Sequence, residues 1–306
     1  MENPAQNSSQ NNQIANRQEN TIDVKELIGI LWKKKYLISS IITLSAIVSV
    51  LYALYLPNIY TSKVVLLPIN QNDSLSSKLG GYSALAGFAG INLSSGGADS
   101  STEAMERIKS YNFFINYFLP NIKLQNLHAV DRWEESKDTF IYDFEVYDQD
   151  TNKWNKYPSS QESYKEYKKI LNVSEDKLTK FVTVSIDHQS PFISKGWVEI
   201  IIKNINEQMR QEDRQQAINS INFLTEYSQK TNPNEIKEVI AQLLASQMQN
   251  LMLTSSNENY VFRILDFPIA PETKSAPSRA LICFIGVILG GLLAIALPLA
   301  QHYFKE

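Results

Sequence analysis

Residues 33–60 read KKKYLISSIITLSAIVSVLYALYLPNIY, and the twenty uncharged residues 37–56 within this stretch decide the class of the chain. As a helix rising about 1.5 Å per residue they reach ~30 Å, which matches the hydrocarbon core of a bilayer. A second stretch, 279–300, reads RALICFIGVILGGLLAIALPLA. It holds twenty-one uncharged residues over 280–300, with Cys283 as the one polar side chain. A buried helix of a soluble core usually keeps a polar stripe. The first run has only scattered Ser and Thr and the second has none, so both are predicted to cross a membrane. The first run begins 36 residues in and ends Tyr52-Ala53-Leu54-Tyr55-Leu56 instead of in small-x-small residues. It therefore reads as an uncleaved anchor and not as a signal peptide.

The flanks orient the pair. Lys33, Lys34 and Lys35 abut the first run, whereas its far side has only Lys63 nearby. By the positive-inside rule the N-terminus is expected in the cytoplasm, and two crossings return the C-terminus there. Lys274 and Arg279 before the second run, and Lys305 after it, are less decisive. Trp32, Tyr36, Tyr52, Tyr55 and Tyr303 fall where interfacial aromatics sit. The domain expectation is a cytoplasmic tail with a short amphipathic helix (1–36), a first transmembrane helix (37–56), a periplasmic domain (57–279), a second transmembrane helix (280–300) and a tail (301–306).

Composition narrows the function. The net charge of −3 over 306 residues gives no basic excess for nucleic acid. One cysteine excludes an intramolecular disulfide. The three histidines, His128, His188 and His302, are too far apart for a local metal motif. No HExxH, Walker or nucleophile-elbow pattern occurs. The glycine-rich stretch 79–98 lacks the Gly-Lys-Ser/Thr of a phosphate loop and reads as a flexible or closely packed loop. The Glu134-Glu135 pair reads as solvated charge, because spacing alone cannot place two carboxylates across a bond. No cofactor, metal or catalytic residue is expected.

Residues 1–20 hold ten Asn or Gln and read as a disordered tail. Asp23 with Glu26 resembles a capping box opening the short helix 22–32. The intervening 223 residues are enough for a domain with its own core. Strands are predicted at 60–67, from Phe140 to Val146, around Val182, Val184 and Ile186, and from Tyr260 to Leu265. Residues 105–118 carry helical spacing at Ile108, Tyr111, Phe114 and Phe118. A long helix is predicted from Pro191 to about Tyr227. Its polar middle, 206–216, is expected to project into solvent or line an assembly. Asn232-Pro233-Asn234-Glu235 reads as the start of another helix, so the extended helices occupy about 191–255. Ile236, Ile240, Leu243, Leu244, Met248 and Leu251 share one face of that helix, an assembly candidate. Pro268, Pro271 and Pro277 mark a stiff connector into the second run, where Gly286-xxx-Gly290 offers close helix approach. The fold class is α+β: two transmembrane helices flanking an α/β base with a long helical extension.

Four segments resemble the polysaccharide co-polymerases, the Wzz-type chain-length determinants of lipopolysaccharide O-antigen. The first is Ile22-Asp23-Val24-Lys25-Glu26-Leu27, then the lysines, then the run ending Leu56-Pro57 with Tyr60 beyond. The second is Ile108-Lys109-Ser110 and the aromatic-rich 111–118. The third passes from Tyr164 through Val173-Ser174-Glu175-Asp176 and His188-Gln189-Ser190-Pro191 to Trp197 and Asn204-Ile205-Asn206-Glu207. The fourth is Tyr260-Val261-Phe262-Arg263-Ile264-Leu265-Asp266, then Pro268, Pro271-Glu272, Lys274-Ser275 and Pro277. Phe267 departs from the proline expected after the aspartate. The resemblance implies a ring-shaped homo-oligomer in the bacterial inner membrane. It implies partnership with an O-antigen polymerase and lipid-linked polysaccharide, control of modal chain length, and no bond chemistry of its own. The same pattern fits a co-polymerase for capsule, enterobacterial common antigen or exopolysaccharide. A membrane-anchored periplasmic glycan enzyme is the rival of a different class.

Overall fold

The computed structural model describes residues 32, 34–69, 100–230, 234–256 and 259–303. The predicted N-terminal tail, the Asp23 capping box, the glycine-rich stretch and the Asn232-Pro233 helix start lie outside the described residues. The chain divides into two units, Met1–Leu56 with Ser278–Glu306, and Pro57–Pro277.

The first unit contains two apolar helices, α1 (Lys35–Tyr55) and one at the far end of the chain, Arg279–Tyr303. Both are long and apolar enough to cross a membrane, over Lys35–Tyr55 and Arg279–Pro298. The two pack on each other through small side chains: Ala53 and Ala294 are buried there.

The second unit is α+β. Its four-stranded antiparallel sheet has the order β6-β7-β1-β8, formed by β1 (Tyr60–Pro68), β6 (Leu171–Glu175), β7 (Val182–His188) and β8 (Phe262–Asp266). The first strand of the unit is thus central and pairs with the last. The pairing of β1 with β8 continues outward to a bridge between Ile59 and Ala276. Side chains reinforce it: Ser62 Oγ donates to Ile269 O (2.8 Å), and Ser275 Oγ accepts from Thr61 N (3.1 Å). Alternation sets the inner face of β1, where Tyr60, Ser62, Val64 and Leu66 are buried. Opposite it in β7, Val184 pairs with Val64 and Ile186 with Ser62.

Between β1 and β6 lie α2 (Ser100–Lys109), α3 (Tyr111–Phe113), α4 (Leu124–His128), two small hairpins and α5 (Ser160–Ile170). The helical spacing of 105–118 is not one helix. Ser110 adopts an extended backbone, and its side chain accepts from Phe113 N (3.1 Å), so it ends one helix and caps the next. A π turn over Phe114–Phe118 then rotates the aromatics inward. Phe113, Phe114 and Phe118 are buried; Phe114 and Phe118 lie against Tyr167, Phe118 also meets Trp197, and Phe113 stacks with Tyr117. The α5 helix starts in a capping box: Ser159 Oγ accepts from Glu162 N while Glu162 accepts from Ser159 N.

The sequence pattern placed a strand from Phe140 to Val146. The hairpin strands are β2 (Val130–Glu134) with β3 (Thr139–Tyr142), and β4 (Tyr147–Asp148) with β5 (Lys153–Trp154). The chain turns at Asp143 because its Oδ1 accepts from Glu145 N and its carbonyl from Val146 N and Tyr147 N. Alternation of aromatics continues across this turn, which is why it mimics a longer strand.

The long helix α6 (Pro191–Lys230) opens with Pro191 in its first turn, where a missing N–H costs nothing, and Ser190 Oγ accepts from Ile193 N. Trp197, Val198, Ile201, Ile202, Ile205 and Met209 lay its first half on the sheet. The second half leaves that core and pairs with α7 (Asn234–Ser256) through a separate small cluster of Leu224, Ile240 and Leu243. The last helix, Arg279–Tyr303, is α8.

Candidate functional site

Three places concentrate side chains beyond what simple packing needs. The first is the root of the α6–α7 hairpin. Asn206 is buried, and its Oδ1 accepts from the backbone N–H of Tyr260 (3.2 Å), Val261 (2.9 Å) and Phe262 (3.0 Å), while its Nδ2 donates to Phe262 O (3.2 Å). One carboxamide therefore holds the entry to β8 against the long helix. This is why β8 starts at Phe262 and not at Tyr260. The polar middle of α6 is accordingly not all solvent-facing: Asn206, Gln208 and Met209 are buried, and the exposed polar run begins at Gln211. Arg107 pairs with Glu103 on its own helix α2 and reaches across to Glu212 of α6. Those hydrogen bonds raise its pKa against the lowering effect of desolvation, which is the largest single cause. Asp213 accepts from the Tyr260 hydroxyl (2.7 Å). Desolvation raises the Asp213 pKa, and the tyrosine bond opposes that shift.

The second place is His188, at the end of β7. Its Nδ1 accepts from Ser190 N (2.9 Å) and its Nε2 pairs with Asn126 O (2.9 Å). Both bonds suit the neutral ring with hydrogen on Nε2. Burial pushes its pKa down. His128 is also lowered by burial, and its Nε2 pairs with Ser163 Oγ (2.9 Å). Among the described residues no three His, Cys, Asp or Glu side chains gather as a metal-binding group.

The third place lies in the apolar unit. Ser45 Oγ donates to Gly286 O (2.8 Å). A Cβ added at Gly286 would stand 1.7 Å from Ser49 Oγ and 2.6 Å from Ser49 Cβ, and one at Gly290 would stand 2.4 Å from Ser45 Cβ. Each glycine thus lets a serine of α1 sit against the backbone of α8.

The remaining residues singled out in the sequence scatter. Ile240 and Leu243 are buried against Leu224 of the same chain, so their face is covered within the hairpin; Ile236 and Met248 stay exposed and Leu251 is half-buried. Tyr60 is buried edge-on to Trp133, with ring centroids 5.6 Å apart. Ser110 is a cap and Pro191 opens a helix. Pro268 is buried, Pro271 and Pro277 are half-buried, and Pro57, Arg263 and Asp266 are exposed. Glu134 pairs with Lys137 (3.3 Å), and Glu135 is exposed. The carboxamide clamp, the histidine bracket and the serine–glycine contact each join partners far apart in sequence. No local spacing announces them.

Two membrane-length apolar helices bracketing an α+β domain, whose first and last strands pair, define a membrane-anchored protein of the two-helix class. Within that class, residues 20–117 match the family described as "Wzz: Chain length determinant protein". A solved "full-length bacterial polysaccharide co-polymerase" is 12% identical, with a TM-score of 0.41 over 92% of this chain and 98% of that one. A "Fragment of WzzB, Polysaccharide Co-polymerase from Salmonella Typhimurium" is 14% identical, with a TM-score of 0.33 over 72% of this chain and 100% of that one. No curated protein sequence matches the chain.

Proposed function

We propose that the chain sets the modal length of a surface polysaccharide, with lipopolysaccharide O-antigen the leading candidate, by acting beside the polymerase in the bacterial inner membrane. The observation that carries this reading is the family match over residues 20–117, which takes in the first apolar helix and the central strand β1. The domain Pro57–Pro277 is read as periplasmic and both termini as cytoplasmic, on the strength of the lysine triplet before α1. The protein makes no bonds itself: it works as a closed ring of identical chains that engages the polymerase and the lipid-linked glycan. Exposed Ile236 and Met248 on the hairpin support an assembly surface there, whereas Ile240 and Leu243 serve the hairpin itself.

A periplasm-dependent reporter fused after residue 150 tests the topology. It should be active there and silent at either end; activity at the C-terminus refutes the arrangement. Mass measurement in mild detergent should give a species several times the 34.8 kDa of one chain. A monomer that is active in cells refutes the ring.

A further inference from the structure

Between α4 and α5 the chain forms a lobe of two small hairpins with an unusual composition. Seven of the twenty-five residues 133–157 are aromatic: Trp133, Phe140, Tyr142, Phe144, Tyr147, Trp154 and Tyr157. Tyr147 is the one that is fully buried. From it the rings run outward in contact, with Trp154 at 5.1 Å and then Tyr157 at 5.7 Å between centroids. The outer end of this series, Tyr157, stands in solvent at 70% exposed, and Phe144, on the neighbouring loop, is 66% exposed. Neither ring is needed to fill a core.

The two exposed rings sit on loops that are tied together. Asn155 donates from its backbone N to Val146 O (3.1 Å), and from Nδ2 to the carbonyls of Phe144 (2.8 Å) and Glu145 (3.2 Å). The corner is therefore built before any partner arrives, which lowers the ordering cost of binding.

Charge says what the partner is. Residues 129–159 carry eight carboxylates and four basic groups, a net of −4. Such a surface repels anionic headgroups, phosphates and nucleic acid. Glu145 and Asp150 are exposed, and among the described residues neither side chain has a hydrogen-bond or ion-pair partner, so both are ready acceptors. Apolar ring faces beside free carboxylate acceptors match a neutral sugar, which has one face of C–H groups and a rim of hydroxyl donors.

We infer that this lobe binds a segment of neutral glycan, with Phe144, Trp154 and Tyr157 as the stacking platform and Glu145 and Asp150 accepting from hydroxyls. The inference rests on the reading that the chain acts on a polysaccharide, and it names the surface that touches it.

The probe is the neutral oligosaccharide fraction freed by mild acid from the surface polysaccharide of cells that carry the gene. Saturation-transfer NMR and calorimetry on the full chain in mild detergent should show contact with sugar ring protons. Tyr157→Ala and Phe144→Ala should each weaken binding about tenfold with the melting temperature unchanged, because both rings are exposed. Glu145→Gln, at another exposed position, should weaken it less. Phe223→Ala, an exposed ring on α6, should leave binding unchanged.

Absence of binding by the wild-type chain overturns the inference, as does equal binding by the Tyr157 and Phe144 variants. Binding to phosphatidylglycerol vesicles that these two variants abolish would assign the rings to a membrane surface instead, and also overturns it. The polysaccharide profile of gene-deleted cells separates this result from the proposed function. If glycan does not bind but deletion still erases the modal cluster, the glycan site alone is wrong. If glycan binds through these rings but deletion leaves the length distribution intact, the site stands and the length reading falls.

Discussion

Replacing Asn206 by Ala should be among the most damaging single changes in the domain. The side chain supplies the acceptor for three buried backbone N–H groups, at Tyr260, Val261 and Phe262, and a donor to Phe262 O. A buried polar group left unsatisfied costs about 1–3 kcal/mol. Three donors sharing one oxygen do not add fully, and water reaching the new cavity recovers part of the loss, so the expected cost is about 3–5 kcal/mol. A typical domain has roughly 5–15 kcal/mol of stability in total. The lost contact also frees the entry to β8, which pairs with β1. Asn206→Asp keeps the acceptor but loses the donor and buries a charge, so it should not rescue. Asn204→Ala removes one bond, to Tyr117 O (2.6 Å), and should cost about 1 kcal/mol. Urea titration of the full chain in mild detergent, followed by tryptophan fluorescence, reads all three. An Asn206→Ala midpoint indistinguishable from that of Asn204→Ala would refute the clamp.

Leu243→Asp places a carboxylate in the small cluster with Leu224 and Ile240, so it should open the α6–α7 hairpin by about 3 kcal/mol or more, seen as faster proteolysis within 210–256, with the sheet core intact. Gly286→Ala forces its Cβ against Ser49 and should loosen the α1–α8 contact by about 1–3 kcal/mol; the double change with Ser49→Gly should restore it, as read by resistance of the helix pair to denaturing detergent. Burial lowers the pKa of His188 below its unfolded value, so the folded state favours the neutral ring. The associated stability is fully present above about pH 6.5 and is lost as pH falls through and below that value. His128 shifts in the same direction. Urea midpoints should therefore hold steady from pH 8 to 7 and decline below about 6.5, and His188→Asn should reduce that decline.

The sequence showed what depends on local pattern. Two uncharged runs, the strand β1 and the long helix α6 all follow from periodicity, whereas the pairing of β1 with β8 came only with the structure. The Ser159-x-x-Glu162 capping box was present to be read and marks the start of α5. What stayed hidden depends on partners distant in sequence. The polar stretch at 206–209 looks solvated until the backbone of 260–262 arrives to meet Asn206. Ile240 and Leu243 look like an assembly face until Leu224 of the preceding helix covers them. The serines of the first apolar run looked scattered. Yet Ser45, Ser49 and Ala53 recur every four residues, as do Gly286, Gly290 and Ala294, and that shared spacing signalled two helices packing through small side chains. The aromatic alternation from Phe140 to Val146 misled because the Asp143 turn preserves it.

Under the proposed function the chain governs polymer length without making the polymer. Gel separation of surface polysaccharide from cells with and without the gene tests it most directly. Deletion should leave total repeat units little changed while the modal cluster of lengths gives way to a broad distribution. Glu134→Gln or Asp266→Asn, in a stably expressed chain, should leave polymer present. Loss of all polymer on deletion, reproduced by one such carboxylate change, would show that the protein is catalytic and contradict the account.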